Sequence, residues 1–281
     1  MPPERLGLIA GGGDFPFMVA RGARKAGLEV VCLALRGFAD EALARETDRF
    51  FWVGVARVGQ WIRTLKREKT SRVIVGGRVK KSDMYTPFKW LRYIPDRRTF
   101  RIWYRRSKDR RTDNLLHALA DELAQEGITM ENSVQYCQDH LAQAGVLGPK
   151  APNEKQSKDI AFGWKVAKAM GNLDVGQSVC VRDLETIAVE AIEGTDQTIL
   201  RAGRLCKAGG FCVVKVAKPN QDMRFDVPTI GPNTMEVMHQ AGAGVLAVEA
   251  GSTVVIDPPA IQQLAGKYGI VVVGIAAEKM D

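Results

Sequence analysis

Residues 6–35 read LGLIAGGGDFPFMVARGARKAGLEVVCLAL. The apolar runs Leu6–Ala10 and Leu28–Leu35 in this stretch predict two strands. The segment between them, Phe15–Ala26, has the periodicity of a helix, and Gly27 ends it. A strand, a glycine turn, a helix and a second strand are typical of the start of a nucleotide-binding α/β fold.

The glycine turn Gly11-Gly12-Gly13-Asp14 joins the first predicted strand to the helix. Glycines let a phosphate approach the backbone closely, and the N-terminus of a helix favours an anion. Gly76 and Gly77 follow a later predicted strand, and such strand ends are where open α/β sheets bind ligands. The alternative is a tight turn that serves only the fold. The predicted substrate-binding residues of this half are Gly11, Gly12, Gly13, Asp14, Gly76 and Gly77.

The turn is an incomplete dinucleotide fingerprint. Pro16 stands where the third glycine of that fingerprint belongs, and Arg36 rather than an acidic residue ends the second predicted strand. An arginine at that position suits the 2′-phosphate of NADP. An NADP-dependent oxidoreductase is therefore kept as an alternative function.

The rest of the chain divides at a polar stretch. Strands and helices alternate along the first half, which predicts a Rossmann-like, mostly parallel sheet over residues 1–147. Residues 148–158, GPKAPNEKQSK, are polar, contain two prolines and are interpreted as a linker. Residues 159–281 mix helices with strands rich in valine and isoleucine, and we predict a mixed α/β catalytic domain there.

A block of charged residues spans residues 213–236, VVKVAKPNQDMRFDVPTIGPNTME. Phe211–Val216 predicts a strand, and the alternation of Asp222, Arg224 and Asp226 predicts that all three side chains share one face of an extended chain. Carboxylates are suitable ligands for magnesium or manganese, and cationic side chains neutralise phosphoryl oxygens. The alternative is a surface loop of exposed ion pairs.

A second polar cluster, EAIEGTD, covers residues 190–196. It follows a predicted strand, and its Glu193 and Asp196 are candidates to join Asp222 and Asp226 around one metal ion. Alternatively, Thr195 and Asp196 cap a helix that runs from Gln197.

The positive charge of the chain is concentrated in one segment. Residues 78–111 contain thirteen Lys/Arg and three Asp/Glu, a local charge of +10 in a chain of net charge +8. Tryptophan, tyrosine and phenylalanine are interleaved with these basic residues, a mixture that suits an anionic membrane surface. No nucleic-acid-binding motif accompanies the mixture, so we expect no nucleic-acid partner. The alternative is a solvated segment whose aromatic residues pack inward.

The chain has no apolar run of the length, about 20 residues, that spans a bilayer, and no secretory pattern at its start. We therefore expect a cytoplasmic protein. Its five cysteines are odd in number and form no CxxC motif, so we expect reduced, mostly buried thiols.

Five segments carry a family resemblance. They are LGLIAGGGDFP, GNLDVGQSV, AVEAIEGTD, VKVAKPNQDMRFDVPTIGPNT and AVEAGSTVVID, in this order along the chain. Together they resemble the LpxI-type UDP-2,3-diacylglucosamine pyrophosphatases, nearly from end to end. The resemblance implies two domains with a linker, and hydrolysis of UDP-2,3-diacylglucosamine to UMP and 2,3-diacylglucosamine 1-phosphate (lipid X) in lipid A biosynthesis. It further implies attack of water on the α-phosphorus with Mg²⁺ or Mn²⁺ present, and a location peripheral to the inner membrane.

The resemblance also assigns residues. The first aspartate of the QDMRFD block, Asp222, matches the essential carboxylate of the family, with its role as metal ligand or base left open. Asp226 and Asp196 are the further predicted metal ligands. The remaining predicted substrate-binding residues are Thr195, Lys215, Lys218, Gln221, Arg224 and Thr229. A non-catalytic nucleotide-sugar or lipid-binding protein is a further alternative, and the oligomeric state, including a homodimer, is left open.

Overall fold

The computed structural model describes residues 3–79, 94–105, 112–219, 221–225 and 227–279. The chain forms two compact units. Unit 1 contains Met1–Gln138 together with Met223–Phe225, and unit 2 contains Asp139–Asp222 and Asp226–Asp281.

Unit 1 is built on a parallel sheet with the strand order β3-β2-β1-β4-β5. Its strands are β1 (Arg5–Ala10), β2 (Glu29–Leu35), β3 (Arg49–Val53), β4 (Arg72–Gly76) and β5 (Thr129–Met130). Its helices are α1 (Phe15–Lys25), α2 (Val58–Arg67), α3 (Arg97–Arg105) and α4 (Thr112–Gln125). Because β1 has β2 on one side and β4 on the other, the order reverses next to β1, at the point where such sheets bind ligands.

Apolar side chains from the strands and helices fill the core of unit 1. The apolar face of α2, with Trp61, Ile62 and Leu65, is buried there. The indole Nε1 of Trp61 donates to the carbonyl of Gly54 at 2.8 Å, so this buried polar atom is paired.

Unit 2 contains a six-stranded mixed sheet with the order β6-β13-β11-β9-β7-β8 and a separate two-stranded sheet, β10-β12. The strands are β6 (Gly145–Val146), β7 (Ser178–Arg182), β8 (Glu185–Val189), β9 (Cys212–Lys215), β10 (Thr229–Ile230), β11 (Val245–Glu249), β12 (Val254–Val255) and β13 (Val271–Ile275). The helices are α5 (Glu154–Asn172), α6 (Thr195–Leu205), α7 (Pro232–Ala241) and α8 (Pro258–Tyr268). Strands β9, β11 and β13 are parallel, whereas β6, β7 and β8 pair antiparallel.

The two faces of this sheet are covered by different helices. On one face, Cys180 and Val213 belong to a core that includes residues of α6, α7 and α8. On the other face, Val179 and Val214 pack with Trp164 of α5. This alternation of neighbouring residues is the period of two that a sheet with both faces covered requires.

The predicted fold class is confirmed: a mostly parallel N-terminal α/β sheet is followed by a second mixed α/β sheet. The structure differs in detail around the predicted linker. Helix α5 begins at Glu154, inside residues 148–158, because Asn153 and Gln156 form a capping box. The short strand β6, which precedes residue 148, pairs with β13 of unit 2. None of the described helices is both long enough and apolar enough to cross a membrane.

Candidate functional site

The first candidate region lies in unit 1, where β1 and β4 end side by side. We call Gly11, Gly12, Gly13, Gly76 and Gly77 the glycine edge. The N–H of Gly11 donates to the carbonyl of Gly76 at 2.7 Å, and Gly12 and Arg78 exchange two backbone hydrogen bonds of 3.0 and 2.8 Å. Some backbone N–H and carbonyl groups of the two turns are therefore bonded to each other. The N–H groups of Gly13 and Asp14, before α1, are the ones best placed to bind an anion.

The glycine edge needs residues without side chains because its two turns touch. A Cβ on Gly77 would lie 2.8 Å from both the carbonyl carbon of Gly11 and Cγ of Pro16, and Gly77 has a φ of +91°. The guanidinium of the exposed Arg78 lies beside Gly13, since a Cβ on Gly13 would be 3.6 Å from its Nε. Arg78 thus adds a positive charge next to the N-terminus of α1.

The second candidate region lies in unit 2, at the edge of the six-stranded sheet where β9 ends. Because β7 runs antiparallel to both β8 and β9, the start of β7 and the end of β8 meet the end of β9 there. The N-terminus of α6 and strand β10 contribute to the same edge. We call these residues the polar edge: Ser178, Glu190, Thr195, Lys215 and Thr229.

Hydrogen bonds connect the polar edge around the hydroxyl of Thr195. The Nζ of Lys215 donates to Thr195 Oγ1 at 3.2 Å and to the carbonyl of Thr229 at 2.9 Å. Thr195 Oγ1 donates to Glu190 Oε1 at 3.2 Å and lies 3.3 Å from Ser178 Oγ. Lys215 and Glu190 are each only 7% exposed, so an ammonium and a carboxylate are held inside the protein edge. The predicted substrate-binding residues Thr195, Lys215 and Thr229 are thereby brought together.

The expected cap of α6 is wrong. Gly194 is the N-cap residue and has no side chain, and the helix begins at Thr195 itself. The hydroxyl of Thr195 is instead engaged with Glu190 and Lys215, while the carboxylate of Asp196 accepts a hydrogen bond of 3.0 Å from Nδ2 of Asn233 in α7. Both side chains therefore make tertiary hydrogen bonds instead of capping the helix.

The segment from β9 to Asp222 is held in unit 2 by buried polar contacts. The carboxylate of Glu249, at the end of β11, accepts from the N–H of Ala217 and from Nζ of Lys168, both at 2.7 Å. The N–H of Lys218 donates to Gln221 Oε1 at 3.2 Å, and Nζ of Lys218 is paired with Asp174. Lys218 and Gln221 therefore shape the loop that leads to Asp222.

After Asp222 the chain enters a turn, so the predicted extended face is wrong for the described residues of this stretch. Met223–Phe225 forms the turn and is part of unit 1. The N–H of the buried Ser133 donates to Met223 O at 2.9 Å, and its hydroxyl lies 2.8 Å from the carbonyls of Arg224 and Val75. These contacts explain the turn, because they capture two successive carbonyls that an extended strand would direct to opposite sides.

Aromatic contacts complete the hold of unit 1 on this turn. The ring of Phe225 meets the imidazole of His117 edge-on, with 5.2 Å between the centroids, and packs against the apolar core of unit 1. The guanidinium of Arg224 lies 5.0 Å from the centroid of the Phe225 ring. Arg224 is thus positioned by its neighbour as well as by the backbone.

The structure describes only some of the predicted metal ligands. Asp226 lies outside the described residues, and the part of the chain that the structure describes contains no group of three His, Cys, Asp or Glu side chains with metal-binding geometry. Asp222, Asp196 and Glu193 are described: Asp196 is bonded to Asn233, and Glu193 pairs with Arg201. The metal site therefore stays a prediction.

Part of the basic segment is described as helix α3. Phe100 and Tyr104 are 55% and 72% exposed and stack with their centroids 6.2 Å apart. Arg97 lies on the same side of the helix as these two rings, since residues three and four apart share a face. Two other arginines anchor the helix to α4: Arg98 binds Glu122 at 3.1 Å and also pairs with Glu126, and Arg101 pairs with Glu122. The rest of the predicted membrane segment, residues 80–93 and 106–111, lies outside the described residues.

The family can now be read from comparison with known proteins. Residues 5–140 match the model of the LpxI N-terminal domain, and residues 143–273 match that of the LpxI C-terminal domain. The chain belongs to the LpxI family. It is also 32% identical over 285 residues to the UDP-2,3-diacylglucosamine pyrophosphatase LpxI of Caulobacter vibrioides, with 97% of this chain and 98% of that protein aligned. The resemblance predicted from the sequence is confirmed.

Several residues of this LpxI-family chain stand at the candidate site without having been predicted there. Arg78 follows Gly77 directly, and its position after a predicted strand and two glycines was an available signal. Glu190 and Ser178 join the polar edge through strand pairing, and Ser133 reaches the turn after Asp222 from a distant segment. Glu190 begins the EAIEGTD cluster, which was an available signal. Sequence spacing carries no signal for Ser178 and Ser133, because their contacts depend on which segments are neighbours in the fold.

Proposed function

We propose that this protein hydrolyses UDP-2,3-diacylglucosamine to UMP and 2,3-diacylglucosamine 1-phosphate (lipid X), a step of lipid A biosynthesis. The observation that carries the proposal is the match of both halves of the chain to LpxI domains, together with near-complete alignment to a protein named for this activity. The buried Lys215 at the polar edge supports it further, since a pyrophosphate diester requires cationic groups to offset its charge.

The proposed reaction is a direct displacement by water. The water oxygen forms a bond to the α-phosphorus, next to uridine, while the bond from that phosphorus to the bridging oxygen breaks. The bridging oxygen leaves with the lipid phosphate, and UMP retains the oxygen of the water. Asp222 is the proposed essential carboxylate, because a carboxylate near the attacked phosphorus orients water and accepts its proton, or holds a cation there. Lys215 and Arg224 are proposed to offset the charge on the phosphoryl oxygens.

A divalent cation, Mg²⁺ or Mn²⁺, is part of the proposal. Asp222, Asp226 and Asp196 are the residues that would hold it, and when bound it would withdraw charge from the phosphoryl oxygens. The oxygen chemistry of three carboxylates suits these hard cations. Calorimetric titration of the protein with Mn²⁺ tests the assignment, and Asp226→Ala and Asp222→Ala separate ligand from base: a ligand variant loses affinity for the cation, whereas a base variant retains it.

The substrate-binding assignments are proposals of the same kind. The N–H groups of Gly13 and Asp14, at the turn formed with Gly11, Gly12, Gly76 and Gly77, are proposed to contact the nucleotide side of the substrate. At the polar edge and its loop, the proposed ligands are Thr195, Lys215, Lys218, Gln221, Arg224 and Thr229. Arg78, beside Gly13, is added to this set because its guanidinium lies over the start of α1.

Hydrolysis in ¹⁸O-labelled water tests the reaction and its regiochemistry together. We expect release of UMP carrying one labelled oxygen and of unlabelled lipid phosphate, detected by mass spectrometry. Label in the sugar phosphate would mean attack on the other phosphorus. Absence of UMP release with and without Mg²⁺ would favour a non-catalytic binding protein, and bound nicotinamide seen by absorbance would favour the oxidoreductase alternative.

We also propose that the protein works in the cytoplasm, peripheral to the inner membrane, and that α3 helps it dock on anionic lipid. The helix exposes Phe100 and Tyr104 beside the exposed Arg97, and aromatic and basic side chains of this kind suit the bilayer interface. Each basic residue near an anionic surface contributes about 1 kcal/mol, and the contribution falls as salt rises. The proposed substrate carries two acyl chains and needs such a surface contact.

Vesicle sedimentation tests the docking face. Arg97→Glu combined with Phe100→Ser and Tyr104→Ser is expected to weaken binding to phosphatidylglycerol vesicles at least tenfold, while hydrolysis of detergent-dispersed substrate changes little. Lys207→Glu, an exposed residue of unit 2, is the control for charge reversal. Equal sedimentation of the triple variant and the parent would show that this face is merely solvated. Light scattering of the parent decides between a monomer and a homodimer.

A further inference from the structure

Glu190 is a buried carboxylate that the proposed reaction does not use. It follows β8 directly, and its Oε1 accepts a hydrogen bond of 3.2 Å from the hydroxyl of Thr195. Its Oε2 is buried and has no hydrogen-bond partner among the residues that the structure describes. Burying a carboxylate that is only partly satisfied is costly, so its place at the polar edge calls for a compensating role.

The hydrogen bonds of the Thr195 hydroxyl indicate what that role is. A threonine hydroxyl has one hydrogen to donate and two lone pairs that accept. Because an ionised carboxylate only accepts, the hydrogen of Thr195 points to Glu190, and the lone pairs are left for Nζ of Lys215 at 3.2 Å and the hydroxyl of Ser178 at 3.3 Å. Glu190 therefore orients the Thr195 hydroxyl that accepts the hydrogen bond from Lys215.

A further contact holds Lys215 from a second side. Its Nζ donates to the carbonyl of Thr229, on β10, at 2.9 Å. Thr195 begins α6 and Thr229 begins β10, so the ammonium is held between two rigid elements. The lysine side chain has four flexible carbons, and these two hydrogen bonds restrict the positions that its ammonium can occupy.

We propose that Glu190 is a positioning residue, which acts through Thr195 to place the ammonium of Lys215 against an anionic phosphoryl oxygen of the substrate. The substrate in this statement rests on the proposed function, whereas the coupling of Glu190, Thr195 and Lys215 does not. Glu190 touches no reacting atom in this scheme. Its effect is carried entirely by the position and charge of Lys215.

Kinetics of four variants test the proposal. Glu190→Gln and Thr195→Val are expected to lower kcat about tenfold with KM within about threefold, because misplacing a group affects the transition state more than the bound substrate. Thr195→Ser keeps the hydroxyl and is expected to retain at least half of the parental kcat. Glu193→Gln is the matched control: this carboxylate lies on the same loop but pairs with Arg201 near the surface, and near-parental kinetics are expected.

A double-mutant cycle identifies the partner of Glu190. Lys215→Met removes the ammonium, and adding Glu190→Gln to this variant is expected to change kcat by less than twofold, because the two residues act as one unit. If the two losses multiply instead, Glu190 acts elsewhere and the proposal is overturned. Parental kinetics of Glu190→Gln overturn it as well, as does a loss in Thr195→Ser as large as that in Thr195→Val.

A spectroscopic measurement separates this proposal from the proposed function. A ¹H–¹⁵N spectrum selective for lysine ammonium groups is expected to contain a Lys215 signal, assigned by its loss in Lys215→Met. Glu190→Gln and Thr195→Val are expected to shift or broaden that signal, whereas Glu193→Gln leaves it in place. An unchanged signal in Glu190→Gln overturns the coupling even if the substrate is right, and a shifted signal supports the coupling even if the enzyme acts on another pyrophosphate.

Discussion

The glycine edge of unit 1 and the polar edge of unit 2 both lie where strands of an α/β sheet end, yet they are built from opposite materials. At the glycine edge, backbone groups of Gly11 bond to Gly76 and those of Gly12 bond to Arg78, and the turns meet because no side chain separates them. At the polar edge, side chains make the contacts, with Thr195 between the buried charges of Lys215 and Glu190.

Because of this difference, substitutions at the two edges should affect different properties of the protein: its stability at one edge and its activity at the other. A side chain added at the glycine edge meets backbone atoms that cannot move without moving two strands, so the fold bears the cost. A side chain shortened at the polar edge or its loop removes a chemical group and leaves the strands in place. We therefore expect substitutions in the first region to lower stability and substitutions in the second to lower turnover. Four experiments follow from this contrast, ordered by the size of the expected effect.

The largest effect is expected at the end of the polar loop. Asp222→Ala should lower kcat by about 10² or more, because it removes a group needed mainly in the transition state. Its thermal midpoint should stay within a few degrees of the parent, and substrate should still bind. Steady-state assay with UDP-2,3-diacylglucosamine and a melting curve measure both quantities. Near-parental turnover would remove Asp222 from the reaction and weaken the contrast.

The next effect is expected at the glycine edge. Gly77→Ala should cost about 3 kcal/mol of unfolding free energy, because alanine is strained at positive φ and its Cβ would lie 2.8 Å from atoms of Gly11 and Pro16. Gly27→Ala is the control, since Gly27 has a φ of +83° but open space around its Cβ position, and we expect about 1–2 kcal/mol there. Urea unfolding compares the two. Equal losses would mean that backbone conformation, rather than close contact of the turns, requires glycine at residue 77.

A smaller effect on both stability and turnover is expected at Ser133, which contacts the turn after Asp222. Its buried hydroxyl lies between the carbonyls of Val75, in β4, and Arg224, just beyond Asp222. Ser133→Ala should cost about 1–2 kcal/mol of stability, because the carbonyl that accepts its hydrogen loses that donor, and should lower kcat a few-fold by loosening the turn. Ser157→Ala removes an exposed hydroxyl-to-carbonyl bond in α5 and should change neither quantity measurably. A loss of stability without any change in kcat would show that the turn after Asp222 does not depend on this anchor.

The smallest effect concerns the reactivity of buried cysteine thiols in the two units. Burial raises the pKa of the Cys32 thiol in unit 1 and of the Cys180 thiol in unit 2 to about 12. At pH 8 only about one such thiol in ten thousand is ionised, so neither should react with Ellman's reagent in the folded protein. The partly exposed Cys206 should account for the single fast-reacting thiol. Its loss in Cys206→Ser is the control. Fast reaction of a second thiol in that variant would show that one of the cores opens more readily than the other.

Much of the fold was predictable from local pattern. The first strand, helix and second strand appear at Arg5–Ala10, Phe15–Lys25 and Glu29–Leu35, close to their predicted limits. The strand before the charged block appears as Cys212–Lys215. These predictions succeed because burial of one face imposes a period of 2 or 3.6 that residues a few positions apart reveal. Caps and loop conformation were predicted less well: α6 begins without a side-chain cap, and the residues after Asp222 turn where an extended chain was expected.

What the sequence by itself determined is therefore the class of fold, the family, and the residue types available for chemistry: glycines after strands, a concentrated basic segment, and the charged block around Asp222. Only the tertiary structure decided which of those residues meet. Glu190 and Lys215 are 25 positions apart in the chain and share a hydroxyl because β7 lies between β8 and β9. Ser133 reaches Arg224 across 91 positions. Strand order and turn packing set such contacts, and these depend on the burial of whole faces rather than on the identity of near neighbours.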